Sequence, residues 1–80
     1  MKRVQLIGEY CKHFRVNILG YTLRVVCTRT NTNIKTLSAF EMGRSNNMEH
    51  IFKYIDVCTS EQKTMLTTGI AWIMKTGGEQ

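Results

Sequence analysis

The sequence predicts an all-α fold of five helices with no sheet, on three observations. Apolar residues recur at helical spacing in one segment after another, cap-forming side chains stand just ahead of those segments, and no proline interrupts them. Eighty residues allow one domain. Residues 1–80 therefore read as a single compact unit, with no repeat and no low-complexity tract.

The first helix is expected from about Val4 to Asn17. Ile7, Cys11, Phe14 and Ile18 form its inner stripe, with Tyr10 beside it, while Glu9, Lys12, His13 and Asn17 face water. The central stretch, Tyr21 to Ser45, reads YTLRVVCTRTNTNIKTLSAFEMGRS. Thr22 is an N-cap, and Tyr21 and Val26 flank it as a hydrophobic staple. Leu23, Val26, Cys27 and Thr30 recur at i, i+3, i+4 and i+7, so one face of the second helix is apolar or small. Cys27 is expected against the third helix, where only a small side chain fits. Asn31 tolerates the left-handed backbone that a tight turn requires, and Asn33 caps the next helix. That helix turns Leu37 and Phe40 inward and stops at Gly43. Two short helices, a tight turn and a polar outer face on the second describe a helix-turn-helix.

Beyond a polar connector, Asn46 and Glu49 form a capping box for a fourth helix from Met48 to about Val57. Ile51, Tyr54, Ile55 and Cys58 face the core there, with Phe52 and Lys53 to the side. Thr59 and Gln62 repeat the capping pattern and open a fifth helix over about 60–75, which Gly77-Gly78 ends. Met65, Leu66, Ile70, Ile73 and Met74 cluster on one side of it, and Trp72 stands apart. That exceeds what one core-facing stripe needs. Leu66, Ile70, Trp72, Ile73 and Met74 are therefore a candidate homodimer interface, the alternative being packing on the first helix of the same chain.

Composition narrows the function. Eleven Lys+Arg against six Asp+Glu give net charge +5 and a pI near 9.4. That balance favours an anionic partner, nucleic acid before membrane, because no apolar stretch approaches the roughly 20 residues of a span. Glu9 and Lys12 interrupt any leader-like segment behind Met1-Lys2-Arg3. The carboxylates are scattered, His13 and His50 have no partner set, and neither a phosphate loop nor metal-ligand spacing occurs, so neither an enzyme nor a cofactor or metal is expected. Cys11, Cys27 and Cys58 are too widely spaced for zinc and odd in number. They read as reduced thiols, Cys11 and Cys27 on apolar helical faces, in a cytoplasmic setting.

The central motif resembles the Cro/repressor-type helix-turn-helix of the Xre-like transcriptional regulators. The resemblance rests on Thr22, Cys27, Asn31, Asn33 and the closing run Ser38, Glu41, Gly43, Arg44, and extends from about Ile7 to Leu66. It implies a lambda-repressor-like DNA-binding domain with the helix-turn-helix at helices 2–3 and the helix 33–42 in the major groove. By the same resemblance Ile34, Lys35, Ser38 and Ala39 face bases, while Thr22, Asn33 and Arg44 meet phosphates. Arg24 joins that phosphate-facing set, and Arg29 adds longer-range attraction. Lys35 can donate to guanine, and Ile34 or Ala39 can touch a thymine methyl. Ile34 has the alternative of a place at the edge of the core stripe, and Lys35 that of a solvated charge. Relatives also pair an Arg of the first helix with the closing Glu, here Arg15 with Glu41, although the loop Val16 to Gly20 is one residue longer in this chain. Three positions depart from the family: Leu23 replaces a phosphate-binding Gln, Met42 an Asn, and Asn31 a Gly.

Two readings follow. The first is a sequence-specific regulator of the phage or mobile-element repressor kind, a homodimer on a two-fold double-stranded DNA operator. The second is a protein-interaction module, with the helix-turn-helix as scaffold and the last helix binding a partner protein.

Overall fold

Every regular element of residues 3–76, the part of the chain described by a computed structural model, is helical. α1 spans Arg3–Phe14 and continues as a π-helical turn, Arg15–Leu19. α2 (Leu23–Thr30) and α3 (Ile34–Glu41) follow, then a 3-10 turn (Met48–His50) leading into α4 (Ile51–Asp56), and finally α5 (Ser60–Thr76). The five expected helices are present. No described helix is long and apolar enough to cross a membrane.

One core joins them. Ile7, Cys11 and Phe14 enter it from α1, Val26 and Cys27 from α2, Leu37 and Phe40 from α3, Tyr54 from α4, and Leu66 and Ile70 from α5. α1 is the central strut, packing on α3 and α5, while α2 packs on α3 and α4. The α1–α3 approach depends on Gly8: a Cβ there would collide with the backbone carbonyl of Phe40. A glycine inside an otherwise regular helix has this use, and it offsets the helix propensity lost.

The junction after α1 differs from expectation. The extra residue between Arg15 and Gly20 is taken into the helix as a π turn instead of lengthening a loop. Gly20, left-handed at φ 69°, closes it by donating to the Arg15 carbonyl, to which Tyr21 N–H also donates at 3.2 Å. Widening the turn shifts the inner stripe by one position. Ile18, expected inside, is exposed, and Leu19 packs on the core in its place. Phe14 and Arg15 are adjacent in sequence, yet both are buried.

The caps of α2 and α3 follow their side chains. Thr22 Oγ1 accepts from Val25 N–H at 3.2 Å, and Asn33 Oδ1 accepts from Lys35 N–H at 2.8 Å. Asn31 is left-handed at φ 53°, with Thr32 N–H donating to Cys27 O at 2.9 Å across it. Gly43, at φ 76°, ends α3 in the same manner, with Arg44 N–H on Ala39 O at 2.8 Å. Each is a Schellman-type end, in which the carbonyls of the last turn find donors beyond the helix.

The fourth helical stretch opens at Met48 as expected, but as a 3-10 turn, so α4 itself starts three residues later, and the cap moves by one residue. The capping oxygen belongs to Asn47, not Asn46, and accepts from Glu49 N–H at 3.0 Å. Asn47 immediately precedes the tighter 3-10 turn, which sets the cap closer to its target amide. Ile51, Ile55 and Cys58 pack around the buried Tyr54, while Phe52 is exposed.

At α5 the expected capping box is present in both directions. Thr59 N–H donates to Gln62 Oε1 at 2.8 Å, and Gln62 N–H donates to Thr59 Oγ1 at 3.2 Å. Gly77-Gly78, expected to end the helix, lies outside the described residues. Leu66 and Ile70, assigned to a dimer interface, are buried within the monomer, because α5 lies along α1 and needs them there. Ile73 is partly covered, whereas Trp72 and Met74 are 65% and 53% exposed.

Candidate nucleic-acid interface

α2 and α3 are held by a buried polar network at the end of α3. Arg15 donates through Nε to Glu41 Oε2 at 2.9 Å and through Nη2 to Glu41 Oε1 at 3.0 Å, a two-pronged ion pair. Its third arm, Nη1, donates to the Tyr21 carbonyl at 2.8 Å. Tyr54 completes the set, its hydroxyl donating to Glu41 Oε2 at 2.7 Å. Both carboxylate oxygens are thus satisfied, as a charge this deeply buried requires. The pair expected between Arg15 and Glu41 forms in spite of the added residue, because the π turn leaves Arg15 facing inward.

The network is tuned toward its paired state. The hydrogen bond to Glu41 raises the Arg15 pKa against the opposing effect of burial. Burial, followed by the negative charge of Glu41, pushes the Tyr54 phenol well above its ordinary value. Nearby, burial pushes the Cys11 thiol up to about 12, which keeps it protonated and unreactive. Phe40 carries the Tyr54 ring on one side and meets the edge of His50 at 5.4 Å. His50 is thus a packing residue.

With the end of α3 fixed, its outer face lies open beside the start of α2. The four expected base-facing residues, Ile34, Lys35, Ser38 and Ala39, are brought together there. They line one open depression of about 410 Å³ with Leu23, Met42 and Arg44. Ile34 is 38% exposed and lies outside the core stripe. Thr22 and Asn33 stand at the adjoining helix starts, where their capping oxygens are occupied but the Thr22 hydroxyl proton and the Asn33 amide protons can still donate. Arg24 and Arg44 are exposed. Arg29 is more constrained, its guanidinium 4.6 Å above the Tyr21 ring and bonded to the Tyr21 hydroxyl at 3.0 Å.

Charge is segregated along the chain. Residues 10–48 contain Lys12, Arg15, Arg24, Arg29, Lys35 and Arg44 but a single carboxylate, Glu41. The fold buries that carboxylate against Arg15. α2 and α3 themselves are left with cations and no exposed acid; Glu9, Glu49, Asp56 and Glu61 lie on other segments, Glu9 lining a neighbouring concavity with Met42.

A larger concavity, about 620 Å³, lies between α1 and α5 and is lined by Tyr10, His13, Phe14 and Met65 among others. Its lining contains no carboxylate, thiol or lysine. Among the described residues, no group of His, Cys, Asp or Glu could hold a metal ion. No protein-family model, curated protein or solved structure matches the chain significantly.

Sequence reasoning gave Tyr54 only a place in the core. Its hydroxyl bond to Glu41 crosses from α4 to α3, and no local spacing signals it. Gly8 was missed too, although a lone glycine one position from the inner stripe is a recognisable sign of close helix approach. Leu23 and Met42, two of the positions that depart from the family, together wall the depression on the outer face.

Proposed function

We propose that this chain is a double-stranded DNA-binding regulator that inserts α3 into the major groove. The observation that carries the reading is the segregation of charge: Arg24, Lys35 and Arg44 surround an exposed helix, and the segment's one carboxylate is neutralised inside. A cationic face around a helix that fits the groove is the electrostatic footprint of such proteins. The resemblance of Thr22, Asn31, Asn33 and the Ser38–Arg44 run to repressor-type regulators supports the same role, as does the short α2–α3 turn through the left-handed Asn31. Lys35 contacts base edges near the start of α3, and Arg44, beyond its end, contacts the backbone. With one strong hydrogen-bonding side chain among four base-facing positions, specificity requires two protomers on paired half-sites or sequence-dependent DNA shape.

Salt-titrated binding to a selected site and to random duplex tests this reading. Lys35→Ala weakens the selected site by about 1–3 kcal/mol and relaxes one base position. Arg44→Ala weakens both duplexes alike and lowers the salt slope by about one unit. If neither variant changes DNA affinity, the face does not bind DNA.

A second reading, a helix-turn-helix scaffold that binds a partner protein, has one observation of its own. Trp72 and Met74 remain well exposed on α5 beside the half-exposed Met65. Co-purification of another protein through α5, with no salt-dependent retention on heparin, favours that alternative.

A further inference from the structure

We infer, on the DNA-binding reading above, that the α2–α3 face selects its sites through the 5-methyl groups of thymine, seated in the apolar depression on α3. Four of the residues lining that depression, Leu23, Ile34, Ala39 and Met42, carry no group that can form a strong hydrogen bond. They come from two helices and a cap: Leu23 opens α2, Ile34 and Ala39 lie on α3, and Met42 is its C-cap. The wall is therefore assembled by the fold, not by one amphipathic stripe. Met42 is 62% exposed and Ile34 38%, so both present apolar surface outward instead of completing the core.

The chemistry of the groove limits what such a surface can read. Base edges there offer hydrogen-bond donors, acceptors and the thymine methyl, and only the methyl gains from an apolar wall. Lys35 and Arg44 border the same depression, and no carboxylate lines it. Charge complementarity thus assigns the occupant to a polyanion with small apolar projections, which describes thymine-containing duplex. Leu23 and Met42 stand where the family has polar residues, and they add apolar surface beside Ile34 and Ala39.

The test changes the DNA and leaves the protein intact. Sites are selected from a random duplex pool with the unaltered chain, then resynthesised with uracil in place of thymine, which removes only the methyl. Affinity is expected to fall about four-fold for each contacted methyl. Met42→Gln should shrink the thymine-to-uracil ratio while salt-dependent binding persists, and Arg44→Ala should weaken both duplexes and keep the ratio. Equal affinity for the thymine and uracil duplexes, with salt-dependent binding retained, overturns methyl readout and leaves the DNA-binding reading standing. Failure to retain any duplex at low salt, including when a protein partner is captured instead, overturns both.

Discussion

Removing one oxygen atom, by Tyr54→Phe, tests whether the buried network fixes α3. The substitution keeps the ring that packs on Phe40 and deletes only the hydroxyl that donates to Glu41 at 2.7 Å. Glu41 then retains its two bonds from Arg15 but loses a third at a buried position. A hydrogen bond to a charged group contributes about 1.5–3 kcal/mol. For a domain of this size each kcal/mol moves the melting temperature by about 4–8 °C, so a fall of about 6–24 °C is expected. Far-UV circular dichroism during heating measures it, with a denaturant titration as a second route to the free energy. The same substitution in a Glu41→Ala background should cost little, because its partner is already gone. A loss below about 0.5 kcal/mol, the scale of an ordinary surface change, would refute the argument. So would equal losses in the two backgrounds.

Two glycines in helices should respond differently to a methyl group. Gly8→Ala sets a Cβ against the Phe40 carbonyl, which is backbone and cannot turn aside, so a loss of about 1–3 kcal/mol in chemical denaturation is expected. Gly69→Ala meets the tip of the Tyr10 side chain, which can swing away, and the roughly 1 kcal/mol of helix propensity gained offsets its lost bond to Met65 O. Equal losses would mean that the α1–α3 contact is looser than described. Cys27→Leu should overpack the α2–α3 contact by about 1–3 kcal/mol, and Cys27→Ala should cost less in the same titration. For Cys11 the sign of the pH effect is fixed, because its folded pKa lies above the ordinary thiol value of 9.0. Its contribution is complete below pH 9.0 and is lost as pH rises through about 12. Cys11→Ala should therefore flatten the alkaline fall of the denaturation midpoint. An unchanged slope would place the titration elsewhere.

Local chemistry made most of the architecture readable. Thr22, Asn33 and the Thr59–Gln62 box act within three or four residues of themselves, so their roles are stated by the sequence nearby. Asn31 was legible for the same reason, since the left-handed backbone it adopts is a property of one residue. The misplacements came where a helix departed from regular geometry. Ile18 was assigned inward on a constant α-helical period, and one π turn rotated it out. Asn46 lost the cap to Asn47 because a 3-10 turn, not an α turn, begins the next element. At the site, the clustering of Ile34, Lys35, Ser38 and Ala39 followed from their spacing on one helix. The addition of Leu23 and Met42 needed the crossing of α2 over α3, and the third partner of Glu41 needed the placement of α4.

The turn between α1 and α2 has a mechanical consequence. Arg15 holds Tyr21 twice: its carbonyl accepts from Tyr21 N–H, and its guanidinium donates to the Tyr21 carbonyl. Both ends of the segment 16–20 are thus fastened to one residue, which is itself anchored on Glu41. Within the segment Leu19 packs on the core, while the first part is spare chain, with Val16 and Asn17 exposed to solvent. A length change between those two residues would alter the bulge without displacing α2, because the fastening lies on either side of it. Drift in chain length at this junction is thereby decoupled from the aim of the α2–α3 unit.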